Sequence, residues 1–426
     1  MDEVGGEIYE LIRELFPIRR SITGEGLRRT LQLIGERIPL EITEVPSGTQ
    51  VLDWTIPQEW NVSDAWVDDP DGKRVVDLRD SDLHVLGYSV PIRERVPFAE
   101  LRKHLYSLPE HPDWIPFRNS YYAPNWGFCL QHRVLESLAN GEYEVCVDST
   151  LEDGSLTYAE ALVRGESEDE VLVSGYACHP AQANDNLSGL ALMTTLAKRL
   201  EGRRLRYSYR FLFSPGTIGP IAWLARNEDR LGRVKHGLVC LCVGDPAPLT
   251  YKQSRRGVAD IDRAARLVLR DSGEPYTIHE WEPWGGDERQ FNSPGFNLPV
   301  GTLTRSAPGT FAEYHTSADD LDLVRPEALQ SSFETYMAVF DVLETNRAYV
   351  NLSPKGEPQL GRRGLYRSIG AGPGANVDEL SLLWVLNLSD GEHSLVDIAE
   401  RSGLRYKQVH DAAVALVDND LLEVSA

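Results

Sequence analysis

The first 35 residues carry apolar side chains at helical spacing. Two sets of residues recur every three or four positions, and each set would form one face of a helix. The first set is Ile8, Leu11, Ile12, Leu15 and Phe16, and the second is Leu27, Leu31 and Ile34. Pro17 ends the first run, and a polar segment at 19–24 separates it from the second. The pattern predicts two amphipathic helices joined by a turn.

The helical spacing is lost between residues 38 and 130. Short runs rich in β-branched and aromatic residues lie at 41–45, 54–56, 64–67 and 74–77. They alternate with turn signals such as PSG at 46–48 and DPDG at 69–72. This alternation predicts a β-rich inserted domain over residues 38–130.

Strand and helix patterns alternate from about residue 141 to 345. Strands are expected at 142–148, 156–163, 171–174, 207–213, 237–243, 276–280 and 298–303, and helices at 187–200, 221–227 and 326–344. Such alternation is typical of an α/β domain in which helices cover a largely parallel sheet. We assign residues 1–37 and 131–350 to this core.

The C-terminal part of the chain has a different texture. Residues 351–376 are rich in Gly, Pro and Arg and predict a linker. In residues 377–426, three helix patterns followed by a short strand are typical of a winged-helix domain. Three basic and ten acidic residues give 378–426 a formal charge of −7. Because DNA binding needs positive charge, we expect this domain to mediate packing or a homo-oligomer.

The composition narrows the class of protein further. The 426 residues are 42% hydrophobic and 25% charged, as in a globular protein of two or three domains. The net charge of −22 argues against nucleic-acid partners and anionic membrane surfaces. No apolar run approaches the roughly eighteen residues of a membrane span, and the acidic N-terminus does not resemble a signal peptide. The five cysteines form no CxxC pair, which predicts reduced thiols in the cytoplasm.

Polar residues follow several of the expected strands, and ligands of doubly wound sheets bind at the carboxyl ends of strands. His179 and Asp185 lie between the strand at 171–174 and the helix at 187–200. An imidazole and a carboxylate suit zinc or a similar divalent ion. Asp185 could equally cap the helix, with His179 an ordinary loop residue. The pair is therefore a candidate metal site with a structural alternative.

Two further clusters contain carboxylates. Asp245 directly follows the apolar strand at 237–243, where an Asp before Pro is also a common turn opener. Asp287, Glu288 and Arg289 follow the glycines at 285–286. This group suits catalysis or the binding of a substrate carboxylate, and it would also suit a solvated loop with an internal ion pair.

A second loop histidine, His315, lies far from His179 in the sequence. It follows Glu313 and Tyr314 in the segment EYHTSADD at 313–320. A single histidine is usually structural. Two loop histidines in one α/β core, with acids after neighbouring strands, form the donor set of a metal site.

The motifs HP..ANDNLSG, CVGDP, GGDERQF.SPGF.LPVG and YHTSADD occur in this order along the chain. They resemble a bacterial aminopeptidase-like family with a β-rich insert and a C-terminal winged helix. The segments RRSITGEG at 19–26 and YYAPNWGFC at 121–129 are also similar to that family. The core is similar to two-zinc exopeptidases of the aminopeptidase and glutamate carboxypeptidase type. The resemblance implies a zinc-exopeptidase-like α/β core with a mixed, largely parallel sheet flanked by helices.

The resemblance also implies a metal site and a reaction. Carried over by motif, His179, Asp185, Asp245 and His315 would hold one or two zinc ions, and a metal-activated water would attack an amide carbonyl. The close family has Pro-Glu-Thr-Ile-Gly after the strand at 207–213, whereas this chain has Pro-Gly-Thr-Ile-Gly. Gly216 stands in place of the glutamate, and glycine neither binds a metal nor moves a proton. Either one metal binds instead of two, another acid acts, or the reaction is changed or lost.

Two functions are compatible with these features. The first is a zinc-dependent, aminopeptidase-like hydrolase acting on a small peptide or an acylated biosynthetic intermediate. In that case Glu313 or Glu288 would be the general base, and Arg289 would anchor a substrate carboxylate or the oxyanion. Asp287 and Tyr314 would also bind the substrate. The second function is a ligand-binding or assembly module on an old enzyme fold, which the missing glutamate favours.

Overall fold

The protein is described by a computed structural model that covers residues 4–120, 123–365 and 379–425. It contains two compact units, Met1–Gly257 with Thr277–Glu334 and Val258–Tyr276 with Thr335–Ala426. The tyrosines at 121–122 and residues 366–376 of the expected linker lie outside the described residues. Among the described residues, no helix is both long and apolar enough to cross a membrane.

The first unit begins with the two helices that the apolar spacing predicts, followed by a β-rich segment. In chain order the elements are α1 (Val4–Leu15), α2 (Glu25–Gly35), β1 (Glu41–Pro46), β2 (Gln50–Val51), β3 (Trp54–Thr55), β4 (Glu59–Asp68), β5 (Arg74–Asp77), β6 (Ile92–Pro97), α3 (Phe98–Leu101), β7 (Leu105–Tyr106), β8 (Phe128–Cys129), α4 (His132–Ser137) and β9 (Glu142–Glu152). Four of the strands form an antiparallel sheet in the order β5-β4-β9-β6.

The strand pairing crosses the expected bounds of the insert, 38–130, at two places. β9 lies beyond residue 130 but pairs with β4 and β6 of the insert. β1 lies inside those bounds but pairs with the large sheet of the core. Strand patterns indicate which residues are extended but not which strand lies alongside, and this is why the sequence did not place these two strands.

The core follows in alternating strands and helices. The elements are β10 (Ser155–Val163), β11 (Glu170–Tyr176), α5 (Gly189–Leu200), β12 (Ser208–Ser214), α6 (Ile218–Arg226), β13 (Val234–Cys240), β14 (Leu249–Lys252), α7 (Asp260–Ser272), β15 (Tyr276–His279), α8 (Glu288–Phe291), β16 (Val300–Thr304) and α9 (Pro326–Thr345). They build an eight-stranded sheet in the order β1-β10-β12-β11-β13-β16-β14-β15. The four central strands β12, β11, β13 and β16 are parallel, and antiparallel strands flank them. The mixed α/β fold is confirmed.

The centre of this sheet is buried on both faces. Every residue of β11 and β12 is buried, as expected for parallel strands that helices cover on both sides. Helix α5 packs against β11, β12 and β13, and ten of its twelve residues are buried. This packing fixes the carboxyl ends of β11 and β12, from which the next loops start.

The second unit contains α7, the end of α9 and the C-terminal domain. The C-terminal elements are β17 (Ala348–Asn351), α10 (Glu379–Leu388), β18 (Asp390–Ser394), α11 (Leu395–Ser402), α12 (Tyr406–Val417) and β19 (Leu422–Val424). β17 is the central strand of an antiparallel sheet ordered β18-β17-β19. The winged helix is therefore present, and its sheet begins before the expected boundary at residue 377.

Candidate metal centre

His179 and Asp185 lie where β11 passes into α5. Asp185 belongs to an irregular turn over Ala183–Ser188, in which it has φ −83° and ψ 71° and Asn186 has φ 135°. Non-glycine residues at such positive φ values are strained and occur preferentially at functional sites. The turn interrupts what would otherwise be one continuous helix. As a result, the carboxylate of Asp185 lies buried at the end of the central sheet.

His315 reaches the same place from a loop before α9. Its backbone is also in the left-handed region, with φ 56°. Its carbonyl oxygen accepts a hydrogen bond from Phe117 N at 2.7 Å, and Pro116 forms a β-bridge with Thr316. The ring of Tyr314 stacks on His315 at 4.0 Å between centroids. A strand-like segment of the β-rich insert thus holds this histidine loop.

The two histidines and the aspartate converge. Their ligand atoms all lie within 4.8 Å of one another. Asp185 Oδ2 is 2.9 Å from His315 Nε2 and 3.9 Å from His179 Nε2. Both atoms of the 2.9 Å pair, Asp185 Oδ2 and His315 Nε2, are buried, and apart from this contact with each other neither has a hydrogen-bond partner among the described residues. Buried polar atoms without partners are costly, and a bound cation would satisfy them.

The electrostatics suit metal binding. Burial alone would raise the pKa of Asp185, but the nearby His179 and His315 and a hydrogen bond from Tyr176 lower it to about 2. Burial lowers the pKa of His179 to about 4, against the opposing effect of Asp185. At neutral pH the carboxylate is therefore ionised and this imidazole is neutral, which are the protonation states that metal ligands need. A set of two histidines and one carboxylate fits zinc.

Asp245, the fourth ligand expected from the sequence, is not part of this cluster. Its Oδ2 accepts from Asn184 Nδ2 at 2.8 Å, and its Oδ1 accepts from Ala247 N at 2.9 Å and from Ser306 Oγ at 2.9 Å. Its carboxylate thus links three segments of the chain through hydrogen bonds. Asp245 is therefore a predicted ligand that the structure does not bring together with His179, Asp185 and His315.

Cys242 takes the position beside Asp185 instead. Its Sγ lies 3.7 Å from Asp185 Oδ1, and its φ of 47° marks a sharp turn after β13. Burial and the charge of Asp185 raise the pKa of the Cys242 thiol well above its usual range. The group is therefore a neutral thiol. All five cysteines are buried free thiols, in agreement with the sequence.

Gly216 lies close to the cluster, where the close family has glutamate. A Cβ atom at this position would be 3.6 Å from Cys178 Sγ and 3.7 Å from the Cβ of Tyr176. These are ordinary van der Waals distances, so a Cβ atom would fit. Gly216 N donates to Cys178 Sγ at 3.3 Å, and Cys178 Sγ lies 3.2 Å from Nδ1 of His179. The side chain of a glutamate at position 216 would therefore start beside Cys178, which itself contacts the ligand His179.

Asp287 is a buried carboxylate bonded to the residue that follows Gly216. Its Oδ1 accepts from Thr217 N at 2.7 Å, and Thr217 directly follows Gly216. Its Oδ2 is buried with no hydrogen-bond partner in the described part of the chain. Burial raises the pKa of Asp287 to about 7; Thr217 N and Arg289 lower it, and Glu288 raises it. A carboxyl group of this kind exchanges a proton near neutral pH.

The other residues predicted around the site are placed as follows. Glu288 is almost fully buried, and its Oε1 pairs with Lys252 Nζ at 2.9 Å. Arg289 Nη2 donates to Thr217 Oγ1 at 3.3 Å. Glu313 is half-buried two residues before His315, and its carbonyl oxygen accepts from Thr316. Of the two glutamates proposed as base, Glu288 is held by an ion pair.

Sequence reasoning missed three supporting residues. Tyr176 OH donates to Asp185 Oδ1, and Arg20 Nε donates to the carbonyl oxygen of His179 at 3.0 Å. Asp319 accepts from the backbone N of Asn184 at 2.6 Å and from that of Asp185 at 2.8 Å. The available signals were the polar last residue of an apolar strand, an arginine in the RRSITGEG segment and the acids after YHTSA.

The fold and this cluster define the class of protein. The zinc aminopeptidase BSAP of Bacillus subtilis superposes with a TM-score of 0.58 at 13% identity, over 79% of this chain and 94% of the other. A Shewanella amazonensis peptidase M28 precursor gives a TM-score of 0.56 at 15% identity, over 80% and 93%. At such identities the likeness concerns the fold alone. The core has the fold of the M28-type zinc aminopeptidases.

Family models identify this chain more specifically than the fold does. A model of a family described as a domain of unknown function, DUF4910, matches residues 9–346, and a winged helix-turn-helix model matches residues 347–424. The chain belongs to this family.

Two matches from Clostridium acetobutylicum, a protein sequence and a crystal structure, cover almost the whole chain. One, provisionally named a polysaccharide biosynthesis protein with an aminopeptidase-like domain, is 51% identical over 422 residues, covering 99% of this chain and 97% of the relative. A crystal structure of a protein provisionally named a peptidase superposes with a TM-score of 0.94 at 50% identity, over 99% and 97%. The resemblance drawn from the sequence motifs is confirmed.

Proposed function

We propose that this chain is a zinc-dependent hydrolase that uses a single zinc ion to cleave an amide bond in a small substrate. The observation that carries the proposal is the convergence of His179, Asp185 and His315 within 4.8 Å. Three protein ligands and an open fourth position are typical of catalytic zinc, whereas structural zinc sites are closed by four ligands. The absence of a carboxylate at Gly216 and the engagement of Asp245 by protein donors both favour one ion over two.

A zinc ion in this cluster supplies Lewis acidity, which lowers the pKa of water and polarises a carbonyl group. The protein's part is to orient the ligands. Tyr176 fixes one oxygen of Asp185 and leaves the other for the metal. Arg20 and Phe117 hold the backbones of His179 and His315, respectively. Such supporting contacts usually change metal affinity by about 10–100-fold when they are lost.

Asp287 is the proposed proton carrier, in place of Glu288 or Glu313. Thr217 N fixes one oxygen of Asp287, and the other oxygen has no partner among the described residues. Through Thr217, Asp287 is bonded to the residue next to Gly216. Asp287 Oδ2 would accept a proton from the attacking water and return it to the leaving nitrogen of the amide. Its pKa of about 7 suits both steps, since a general acid-base group works best near the operating pH.

The proposed substrate is an acylated biosynthetic intermediate. The Clostridium relative is named for polysaccharide biosynthesis, and this name favours an N-acylated sugar over a peptide. Arg289 and Tyr314 would contact the substrate, since Arg289 is tied to Thr217 beside Asp287 and Tyr314 stacks on His315. A cytoplasmic location and a homo-oligomer stay predictions from the sequence.

The alternative is a ligand-binding or assembly protein that kept the fold without catalysis, and Gly216 is the observation that favours it. Measuring the zinc content distinguishes the hydrolase from the ligand-binding or assembly protein. We expect about one zinc per chain by elemental mass spectrometry, on protein purified without chelators, and no zinc in His179→Ala. His132→Ala, at the start of α4 and outside the cluster, is the control and should keep its zinc. A wild-type chain without zinc, even after soaking, would contradict the hydrolase.

A substrate screen completes the test. N-acetylated hexosamines and short acylated amines would be incubated with the zinc-loaded protein, and free amine would be measured. Hydrolysis by the wild type that is lost in His179→Ala supports the proposal. Zinc binding without hydrolysis of any compound would favour the binding protein.

A further inference from the structure

A cavity of about 500 Å³ opens next to the Asp287 region. Its lining includes Trp54, Thr217, Arg255, Trp281, Arg289 and Gln290. This volume lies within the range that holds small-molecule ligands. Thr217 connects the cavity to the candidate metal centre, because its backbone N bonds Asp287 and it directly follows Gly216.

The charge of the lining is opposite to that of the protein. Two arginines line the cavity, and none of its described lining residues is Asp or Glu. The chain as a whole carries a net charge of −22. Of the buried acids next to Arg289, Glu288 pairs with Lys252, and one oxygen of Asp287 accepts from Thr217 N. A concave positive region on an acidic protein attracts anions locally while the rest of the surface repels them.

Both arginines are held in place. Arg289 Nη2 donates to Thr217 Oγ1 at 3.3 Å, while its buried Nε has no partner in the described residues. Arg255 is exposed, its backbone N donates to Asn292 Oδ1 at 2.8 Å, and its Nη1 donates to Asn297 Oδ1 at 3.0 Å. Guanidinium groups bind carboxylates and phosphates through paired hydrogen bonds, and positioned ones lose less entropy in doing so.

Two half-buried tryptophans supply flat apolar surface. Trp54 begins β3 of the β2–β3 hairpin, and Trp281 lies in the loop after β15 with Lys252 Nζ 5.1 Å from its ring centroid. Indole rings offer a large, rigid apolar contact area to a ring-shaped ligand. A cavity with two indoles and two guanidiniums therefore matches a ligand that has both a ring and a negative charge.

We propose that this cavity is the subsite for an anionic ring of the substrate, with a sugar bearing a carboxylate or phosphate group as the fitting chemistry. The arginines bind the anion, and the tryptophans contact the ring. The inference rests on the proposed function for the role of this ligand as substrate. The binding itself requires neither zinc nor hydrolysis.

Binding can be measured directly by isothermal titration with three probes that share a ring: glucuronate, glucose 6-phosphate and glucose. We expect at least one of the two anionic sugars to bind at least tenfold more tightly than glucose. Preference between them identifies the anion as carboxylate or phosphate. Equal affinity for all three probes, or no binding of any, would overturn the proposal.

Variants locate the site. Arg255→Gln and Arg289→Gln should each weaken the preferred anion at least fivefold. Arg256→Gln is the matched control, because Arg256 is an exposed neighbour that does not line this cavity, and it should change affinity less than twofold. Arg255 is exposed, so its variant tests the site even if the Arg289 variant is poorly folded. An equal loss in Arg256→Gln would overturn the assignment.

The same titration separates this inference from the proposed function. It is run with and without a chelator, and zinc content is measured in parallel. Anion binding in a chain that holds no zinc would leave the subsite standing and reject the hydrolase. Zinc binding without any preference for anionic sugars would reject the subsite and leave the hydrolase proposal standing.

Discussion

Two buried polar networks lie at opposite ends of the same central strands. At the amino ends of β11 and β12, Arg210 pairs with Glu170 at 2.6 Å and with Glu160 at 2.9 Å, and Trp223 Nε1 also donates to Glu160. At the carboxyl end, His179, Asp185 and His315 converge, and Asp185 Oδ2 and His315 Nε2 have no partner among the described residues other than each other. Both networks are buried, yet one is closed and the other is open.

The difference shows how a structural network can be told from a binding site. In the first network an arginine faces two carboxylates, and both glutamates accept short hydrogen bonds from it. In the second, the carboxylate of Asp185 faces two imidazole rings, and neither ring gives its Oδ2 a well-formed hydrogen bond. A buried charge that the protein itself leaves incomplete is a place for a ligand.

The largest effect is expected at the closed end. Arg210→Met leaves Glu160 and Glu170 buried without their main cation, so the free energy of unfolding should fall by about 3–5 kcal/mol. Urea denaturation followed by circular dichroism measures it. Arg204→Met is the control, because Arg204 is 89% exposed in its pair with Glu166 and should contribute only about 0–1 kcal/mol. Equal losses in the two variants would remove the contrast between buried and exposed networks.

At the open end, a comparison of two aspartates tests the ligand set. Asp185→Asn should weaken zinc binding by at least about 100-fold, since it removes a ligand and not merely a supporting contact. Asp245→Asn should change zinc affinity by less than about threefold while lowering the unfolding free energy by about 1–3 kcal/mol, because its hydrogen bonds join backbone segments. Competition with a coloured chelator gives both affinities. Equal losses would return Asp245 to the metal site.

The pH dependence of stability tests the environment of Asp287. Its pKa is about 7 in the folded protein, above the usual 3.8. Between these values the folded state binds a proton that the unfolded state has lost, so this residue's contribution to stability falls as pH rises. Relative to Asp287→Asn, the wild type should lose on the order of 2–4 kcal/mol between pH 4 and pH 8. Parallel curves for both proteins would mean that the carboxyl group ionises normally.

The smallest effect is expected from filling the gap at Gly216. A Cβ fits there, and Gly216→Glu would place an additional carboxylate near the ligands. We expect a zinc affinity raised by about tenfold, or a second zinc equivalent, because each added carboxylate is a further ligand. Gly216→Gln has nearly the same size without the charge and serves as control. Unchanged zinc binding in Gly216→Glu would show that the missing glutamate does not explain a one-ion site.

The sequence was sufficient for most of the architecture. Apolar spacing predicted α1 and α2, and the alternation of patterns predicted the α/β core and the winged helix. It did not identify the partners of β1 and β9, because extended strands with similar patterns are interchangeable until they pair. Where an element lies along the chain is therefore easier to predict than which other element it packs or pairs with.

The same limit explains the outcome at the metal centre. His179, Asp185 and His315 were predicted from their positions in loops of the α/β core and from the family resemblance, and the structure brings them together. Asp245 follows an apolar strand as a ligand would, but its carboxylate accepts from Asn184, and the turn at Cys242, with φ 47°, places a thiol beside Asp185. Such a turn at a non-glycine residue has no signature in the sequence. The role of Asp287 depends on contacts with Thr217, 70 residues away.

The hydrogen bonds between the insert and the His315 loop have a consequence for how this family can change. Ile115 N donates to Ser317 Oγ across 202 positions of sequence, and Phe117 N donates to His315 O. The loop of the second histidine therefore takes part of its backbone support from the insert, although 202 positions of sequence separate Ile115 from Ser317. A descendant that deleted the insert would lose the support of a metal ligand in the same event. If the core were expressed without the insert, the loop that carries His315 would lose its hydrogen bonds with Ile115 and Phe117.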